Sequence, residues 1–348
     1  MNNFSSSTSE TVPNGLICAA LERAMEAGRS VAGTTSPNPP VGAVILDADG
    51  EVAGVGATQP PGGPHAEVMA LKAAGDRASG GTAVVTLEPC NHTGRTGPCA
   101  QALISAGIEA VYYLHPDPTP QAGGGSATLA QAGVTVGQLV APEHTTDCLV
   151  PWLTAVEFGR PHVTLKFAQS MDGFTTAVDG TSQWITGPQA REHVHEDRAR
   201  RDAILIGTGT ALADNPSLTA RYPDGTLRSH QPCRVVVGSR NVSAMPNLAR
   251  LGFEQYATPA EALDELYASG ARDVLVEGGA CLAGSMLEQG YVDCIQAYVG
   301  NVLVGDGRGV LDRSLAATIA PTLAQAPRWR RRSVVGLGDD VLVEYQRL

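Results

Sequence analysis

Two short motifs in the first third of the chain contain the residue types of a hydrolytic metal site. His65-Ala66-Glu67 is followed by Pro89-Cys90, and eight residues separate Cys90 from Cys99. One imidazole and two thiolates can hold Zn2+ tetrahedrally and leave the fourth position to a water whose pKa the metal lowers towards neutrality. A carboxylate two residues after the histidine can take the proton of that water and pass it to a leaving amine without binding the metal.

These residues predict a zinc-dependent deaminase, with His65, Cys90 and Cys99 as zinc ligands and Glu67 as the catalytic acid and base. Taken alone, the His-x-Glu motif is also compatible with an ordinary helix start. The Pro-Cys and the second Cys favour the metal site, because their order is that of the general deaminase signature. That signature has two residues between its cysteines, whereas this chain has a polar loop with two glycines, which is predicted to line a substrate pocket.

The elements predicted around the motifs place the candidate ligands at strand ends and helix starts. A loop rich in Gly and Pro leads to His65 at the start of a helix, and Cys90 lies beyond the end of a buried strand. Pro98 suits the first turn of the helix that begins near Cys99. Helix N-termini favour negatively charged thiolates. In this half the predicted helices are 15–27, 65–74 and 99–106, and the predicted strands are 41–46, 82–87 and 110–114.

Longer stretches of the sequence resemble one family. Residues 86–99 (TLEPCNHTGRTGPC) and 36–45 (SPNPPVGAVI) are similar to the deaminase half of the bifunctional deaminase-reductase family of riboflavin biosynthesis. The resemblance covers roughly residues 12 to 345. Four later segments resemble successive motifs of the reductase half of that family: KFAQSMDG (166–173), SQWITG (182–187), LADNPSLTAR (212–221) and VEGGA (276–280).

The resemblance implies two consecutive reactions with zinc and NADPH as cofactors. The first is hydrolytic deamination of 2,5-diamino-6-(5-phosphoribosylamino)pyrimidin-4(3H)-one. The second is reduction by NADPH of the ribosyl group of 5-amino-6-(5-phosphoribosylamino)uracil to ribityl. The implied fold class is α/β in both halves: an N-terminal cytidine-deaminase-like three-layer α/β/α domain and a C-terminal dihydrofolate-reductase-like α/β domain. In the second half the strand candidates are 162–168, 203–206, 234–237, 273–276, 294–299 and 341–343.

The resemblance also assigns further site residues. In the deaminase half, Asn38 is expected to bind the substrate ring edge, although an Asx-turn before Pro39 would also explain it. In the reductase half, the substrate-binding residues are expected to be Ser182, Arg198, Leu218, Arg221 and Glu277. The expected NADPH-binding residues are Ala168, Trp184, Thr210, Asp214, Ser239 and the run Gly279, Ala280, Cys281, Leu282, Ala283, Gly284 and Ser285.

Other interpretations of some of these residues stay open. Arg198 lies in a charged run that could be a solvated helix face, and Trp184 could be an ordinary core aromatic. His92 is left unassigned, because a fourth protein ligand would close the zinc site to water. Gly238 stands where the family commonly has an acidic residue. We nevertheless expect Ser239 and Arg240, which follow it, to bind the 2'-phosphate of NADPH.

Length and composition bound the remaining possibilities. A chain of 348 residues suits two domains. We expect a disordered tail (1–11), a deaminase domain (12–146), a connecting helix (147–160) and a reductase domain (161–348). No apolar run approaches the ~18 residues that span a bilayer, so we expect no membrane association. The first ten residues lack the features of a secretory signal.

Charge and cysteine content restrict partners and compartment. The net charge of -11 argues against a nucleic-acid partner. Seven cysteines form an odd set without regular spacing, which indicates a reducing compartment and the cytoplasm. A homo-oligomer is possible. One alternative is a cytidine or tRNA-adenosine deaminase fused to an unrelated domain, which the acidic charge and the long loop disfavour. Another is a zinc-stabilised binding protein, which the retention of Glu67 and all three ligands disfavours.

Overall fold

A computed structural model describes residues 15–92, 97–140, 147–311 and 319–348. The described residues form two compact units, with the boundary between Glu157 and Phe158. The predicted N-terminal tail lies outside the described residues. Each unit is an α/β structure with its own sheet of parallel and antiparallel strands and its own hydrophobic clusters.

The first unit is built on a five-stranded sheet in the order β2-β1-β3-β4-β5. Strand β1 is antiparallel to β2 and β3, and β3, β4 and β5 are parallel. Its strands are β1 (Gly42–Leu46), β2 (Val52–Ala57), β3 (Thr82–Leu87), β4 (Ala110–His115) and β5 (Thr135–Gln138). Its helices are α1 (Gly15–Ser30), α2 (Ala66–Ala74), α3 (Cys99–Ser105), α4 (Gly125–Gln131) and α5 (Val150–Phe158), with a 3-10 turn at Gly75–Ala78.

Alternating strand residues divide the core of this unit between the two faces of the sheet. Val44 and Val84 pack with Leu21 and Met25 of α1 on one face. Their chain neighbours point to the other face and pack with α2, α3 and α5. Helix α1 approaches the sheet closely, because a Cβ on Gly42 would lie 1.8 Å from the carbonyl oxygen of Ala24. The unit therefore has three layers, helix, sheet and helices.

The second unit is built on an eight-stranded sheet in the order β10-β9-β8-β11-β6-β12-β15-β14, and β7 and β13 pair separately. Its strands are β6 (His162–Gln169), β7 (Phe174–Ala177), β8 (Ala203–Gly207), β9 (Cys233–Val237), β10 (Glu254–Tyr256), β11 (Asp273–Val276), β12 (Cys294–Val299), β13 (Gly307–Gly309), β14 (Trp329–Leu337) and β15 (Asp340–Arg347). Its helices are α6 (Pro188–Arg198), α7 (Thr208–Asp214), α8 (Pro246–Leu251), α9 (Pro259–Ala268) and α10 (Ala280–Glu288), with a 3-10 turn at Leu323–Gln325.

Both faces of this larger sheet are covered. Helices α9 and α10 pack on one face with Leu205 and Val276, and α7 and α8 pack on the other with Ile204 and Val236. Strands β10, β9, β8, β11, β6 and β12 are parallel, so their carboxyl ends meet at one edge. In parallel sheets that edge is where ligands bind.

Candidate functional site

The three predicted zinc ligands lie together in the first unit. His65 immediately precedes α2, Cys90 follows β3, and Cys99 is the first residue of α3. The Nδ1 atom of His65 is 3.5 Å from the Sγ of Cys90 and 3.3 Å from the Sγ of Cys99. All three donor atoms lie within 4.8 Å of one another. In a tetrahedral zinc site, two ligand atoms that each lie about 2.0 to 2.3 Å from the ion are roughly 3.5 Å from each other. The distances from His65 to the two sulfur atoms are close to this value, so the donor set fits zinc.

The environment of the cluster stabilises the thiolate of Cys90 and raises the pKa of the neighbouring Glu67. Hydrogen bonding with Cys99, with further contributions from His65, lowers the pKa of Cys90 well below its ordinary value. The backbone N–H of Cys99 also donates to the Sγ of Cys90 over 3.4 Å. Glu67 is only 4% exposed, and burial raises its pKa to about 7. A carboxyl group with such a pKa can both accept and release a proton at neutral pH.

A pocket of about 300 Å³ adjoins the cluster and is lined by His65, Glu67, Cys90 and Asn38, so four of the predicted residues share one cavity. Cys99 is fully buried behind it. Asn38 lies on a segment fixed by Trp152, whose indole N–H donates to the carbonyl oxygen of Pro37 over 3.0 Å. Residues 93–96 of the predicted pocket loop lie outside the described residues.

Sequence reasoning missed one wall of this pocket. Glu88, Asp117 and Thr119 also line it. The carboxylate of Glu88 accepts hydrogen bonds from the backbone N–H groups of Ser126 and Asp117 and from the hydroxyl of Ser126. Burial alone would raise the pKa of Glu88, but these bonds hold it below its usual value. The position of Glu88 directly before Pro89-Cys90 was the available sequence signal.

His92 also lines the pocket. Its Nδ1 is buried and has no hydrogen-bond partner among the described residues.

A larger cavity of about 1200 Å³ lies at the carboxyl edge of the sheet in the second unit. It is lined by residues in the carboxyl-terminal parts of β6, β8 and β9 and by residues that follow β8, β9 and β11. Eleven of the residues predicted for this half line it: Ala168, Ser182, Thr210, Asp214, Glu277, Gly279, Ala280, Cys281, Leu282, Ala283 and Ser285.

The two glycines before α10 lie so close to neighbouring side chains that a Cβ would not fit at either position without a shift. A Cβ on Gly278 would lie 2.7 Å from a methyl carbon of Leu282, and a Cβ on Gly279 would lie 3.0 Å from the hydroxyl oxygen of Thr210. The backbone N–H of Gly279 donates to that hydroxyl over 3.0 Å. A nine-residue helix that begins behind such a turn fits the diphosphate of a dinucleotide. The volume and this turn therefore fit NADPH.

The other predicted residues do not line the cavity. Trp184 is 68% exposed, and the guanidinium of Arg191 lies 4.5 Å from its ring centroid. Ser239 and Arg221 are exposed, and Leu218 is buried in the core. Gly284 is buried within α10, and Arg198 lies behind Glu277.

A charged cluster lies at the inner end of the cavity. Glu277 and Lys166 line the cavity, with 3.9 Å between a carboxylate oxygen and the ammonium nitrogen. Arg198 donates two hydrogen bonds to Glu277, from Nε over 2.6 Å and from Nη2 over 2.8 Å. Burial works in the opposite direction, but Arg198 lowers the pKa of Glu277 to about 2. Burial lowers the pKa of Lys166. Sequence reasoning had not singled out Lys166.

The two units match two family profiles. Residues 17–115 match the profile described as "Cytidine and deoxycytidylate deaminase zinc-binding region", and residues 161–343 match the one described as "RibD C-terminal domain". Among curated proteins, the riboflavin biosynthesis protein RibD of Corynebacterium ammoniagenes is 63% identical over 313 residues, which cover 89% of this chain and 93% of that protein. RibD of Escherichia coli K12 is 36% identical, and the aligned region covers 92% of this chain and 96% of the E. coli protein.

Two solved structures have a similar fold over nearly the whole chain. RibD of Acinetobacter baumannii has a TM-score of 0.79 at 32% identity and covers 96% of this chain and 99% of its own. A protein of Thermotoga maritima, described as a diaminohydroxyphosphoribosylaminopyrimidine deaminase/5-amino-6-(5-phosphoribosylamino)uracil reductase, has a TM-score of 0.81 at 30% identity, with the same coverage.

Site, fold and similarity together define a two-domain enzyme with a zinc-dependent deaminase and an NADPH-dependent reductase. The chain belongs to the RibD family of bifunctional riboflavin biosynthesis enzymes. The expected fold class, a cytidine-deaminase-like domain followed by a dihydrofolate-reductase-like domain, is confirmed. Among the helices of the described residues, none is long and apolar enough to span a membrane.

Proposed function

We propose that the first unit deaminates 2,5-diamino-6-(5-phosphoribosylamino)pyrimidin-4(3H)-one. The proposal for the second unit is reduction of the ribosyl group of 5-amino-6-(5-phosphoribosylamino)uracil to ribityl. The observation that carries the proposal is the cluster of His65, Cys90 and Cys99 beside a pocket that the buried Glu67 also lines. The same chain has a dinucleotide-sized cavity. The Thermotoga maritima structure is described with the same two activities.

In the deaminase, His65, Cys90 and Cys99 are proposed to hold the metal and Glu67 to carry the proton. A zinc ion bound there supplies a Lewis acid that makes a water acidic enough to attack at neutral pH. Glu67 would accept a proton from the attacking water as the water oxygen bonds to the amino-bearing ring carbon. Glu67 then donates this proton to the amino nitrogen, the C–N bond breaks, and ammonia leaves. Asn38, beside the same pocket, orients the ring edge through its amide.

In the reductase, the cavity is proposed to hold NADPH along the glycine turn before α10. Ala168, Thr210, Asp214 and the run Gly279–Ser285 bind the cofactor, with Trp184 and Ser239 nearer the surface. NADPH bound there would supply a hydride to C1 of the sugar, and a proton would have to reach the ring oxygen that leaves C1 when the ring opens. This step depends on positioning and charge stabilisation rather than on a strong base.

Substrate recognition in the reductase is proposed for Ser182, Glu277, Arg198, Leu218 and Arg221. Ser182 and Glu277 are supported directly, because both line the cavity. Since two N–H groups of Arg198 already bind Glu277, this arginine acts at least as a positioning residue for that carboxylate. Arg221 keeps the role that the family resemblance gives it, a phosphate contact.

The domain layout and partners are also proposals. We retain a deaminase domain (12–146), a connecting helix (147–160) and a reductase domain (161–348), which helix α5 and the unit boundary after Glu157 support. The seven cysteines and the net charge of -11 support activity in the cytoplasm without a nucleic-acid or membrane partner. Self-association as a homo-oligomer is compatible with this function, and its test is the mass of the protein in solution.

One coupled assay tests the function. Ammonia release and NADPH oxidation are measured on the phosphorylated diaminopyrimidinone with the zinc-loaded full chain. We expect ammonia first and NADPH oxidation afterwards, in equal amounts. Deamination of cytidine or tRNA instead of this pyrimidine would overturn the substrate assignment.

A further inference from the structure

The reductase cavity has a wall that none of the predicted residues accounts for. Strands β7 and β13 form a two-stranded sheet of their own, called the flap here and defined as Phe174–Ala177 with Gly307–Gly309. Residues from both strands line the cavity. Asp172 fixes the flap at its base, because its carboxylate accepts hydrogen bonds from the backbone N–H groups of Val304 and Gly305. The flap is therefore a built part of the cavity.

Two polar side chains of the flap lie opposite each other. Thr176 on β7 and Arg308 on β13 are direct partners in the antiparallel register. Directly opposite residues of an antiparallel pair share one face of the sheet, within side-chain reach of each other. Both residues line the cavity.

Among the residues that the structure describes, the hydroxyl of Thr176 has no hydrogen-bond partner. Its Oγ1 is buried. The neighbouring Thr175 differs, because its hydroxyl donates to the carbonyl oxygen of Arg308. A buried hydroxyl is normally hydrogen-bonded, and an exception calls for a ligand or water that completes it.

Arg308 is also distinguished from the other cations of the cavity. Lys166 faces Glu277, and the Nε of Arg240 donates to the hydroxyl of Thr208. Arg308 forms no ion pair with any carboxylate of residues 15–92, 97–140, 147–311 or 319–348. A guanidinium that has no ion pair among the described residues and a hydroxyl on the same face are a donor pair suited to an anionic oxygen.

We propose that Arg308 and Thr176 form a phosphate-binding pair on the flap. The group that they bind is a phosphate with at least two accessible oxygens, one for the guanidinium and one for the hydroxyl. Two ligands of the cavity carry such a group, the diphosphate of the dinucleotide and the 5'-phosphate of the sugar. The proposal rests on the proposed function of the cavity, and the experiment separates these sources.

The experiment uses the zinc-loaded full chain with Arg308→Gln, Arg308→Lys, Thr176→Val and the double variant. Calorimetry measures the Kd of NADPH, of NADH, of the deaminated phosphoribosylaminouracil and of its dephosphorylated form, and steady-state assays give KM and kcat. Arg330→Gln is the matched control, because Arg330 is exposed on β14 and does not line the cavity. Ammonia release from the first unit reports on folding of each variant.

We expect Arg308→Gln to weaken binding of one ligand about ten- to a hundredfold and Thr176→Val about two- to tenfold. Arg308→Lys should recover part of the loss. The double variant should lose less than the product of the single losses, because both residues hold one group. If the variants weaken the binding of NADPH and NADH equally, the bound group is the diphosphate of the cofactor. If they weaken the binding of the phosphorylated pyrimidine but not of its dephosphorylated form, the bound group is the sugar phosphate.

The proposal is overturned if Arg308→Gln and Thr176→Val leave every Kd within about twofold of the unsubstituted protein. It is also overturned if the losses equal those of Arg330→Gln. Failure of the unsubstituted protein to oxidise NADPH with the pyrimidine would instead refute the proposed function of the cavity.

Discussion

In the first unit, three candidate zinc ligands come from two sequence motifs, and their donor atoms lie within 4.8 Å of one another. In the second unit, a cavity of about 1200 Å³ is lined by residues drawn from Lys166 to Leu311. A metal site needs particular residue types, so its members are visible in the sequence. A dinucleotide cavity is shaped largely by backbone, and many residue types can line it. The difference explains why the sequence motifs indicate all three candidate zinc ligands, whereas the sequence indicates only part of the lining of the reductase cavity.

The largest effect is expected from Cys90→Ser, which tests the metal site directly. A serine hydroxyl stays protonated at neutral pH and cannot replace a thiolate ligand. We expect the variant to lose zinc and ammonia release together, while NADPH oxidation with the deaminated intermediate stays unchanged. Metal analysis and the two assays measure this. Cys233→Ser is the matched control, and a full zinc equivalent in Cys90→Ser would contradict the ligand assignment.

Glu67→Gln separates metal binding from proton transfer. The amide keeps the size of the carboxyl group but cannot carry the proton, so ammonia release should fall by about 10²- to 10⁴-fold. Zinc content should stay at one per chain, because Glu67 is not a ligand. Reduction of the supplied deaminated intermediate should be unaffected.

Glu109→Gln, an exposed change in the same unit, controls for loss of charge. Simultaneous loss of both activities in a folded, zinc-loaded Glu67→Gln protein would show that the two reactions share one site.

Glu277→Gln tests the charged cluster of the reductase cavity. The change leaves the buried Arg198 without its carboxylate partner, which should cost about 3 to 5 kcal/mol of unfolding free energy at pH 7. The pKa of Glu277 is lowered from 4.5 to about 2, so its stabilising charge is present above pH 4.5 and lost as the pH falls towards 2. The difference between the two proteins should therefore shrink below pH 4.5.

Denaturant unfolding at neutral and acidic pH measures this difference. Glu288→Gln, an exposed change on α10, is the control. A difference that does not depend on pH would show that Glu277 stabilises the unit by packing rather than by charge.

The fold was predictable where the apolar pattern was strong. The predicted strands 82–87, 273–276 and 294–299 have the same bounds as β3, β11 and β12. The sequence analysis did not single out β2, in which two of six residues are glycine, or the short flap strands. Helix α4 is also absent from the predicted helices. Its first turn has no local cap, because the group that binds the Ser126 N–H is the carboxylate of Glu88, which is distant in the chain. Local patterns do not contain such long-range partners.

The same limit applies to the sites. Glu88 and Lys166 contribute to their sites through contacts with residues far along the chain, and no spacing rule indicates such contacts. Short motifs around His65 and Cys90 identified the deaminase centre, because its chemistry admits few residue types.

The smallest effect is expected at Arg240, which we expect to distinguish NADPH from NADH. Arg240 lines the cavity, and its Nε donates to the Thr208 hydroxyl over 3.1 Å, which leaves its terminal nitrogens for a ligand. A charge-assisted contact with the 2'-phosphate of about 1.5 to 3 kcal/mol favours NADPH by roughly ten- to a hundredfold. Arg240→Ala should therefore raise the KM for NADPH by that factor and leave the KM for NADH nearly unchanged. The control is Arg250→Ala, an exposed change outside the cavity, which should leave both KM values unchanged. Because Ser239 is exposed and does not line the cavity, Ser239→Ala should change the NADPH preference less than Arg240→Ala. Equal effects of Arg240→Ala on both cofactors would show that this arginine does not bind the 2'-phosphate.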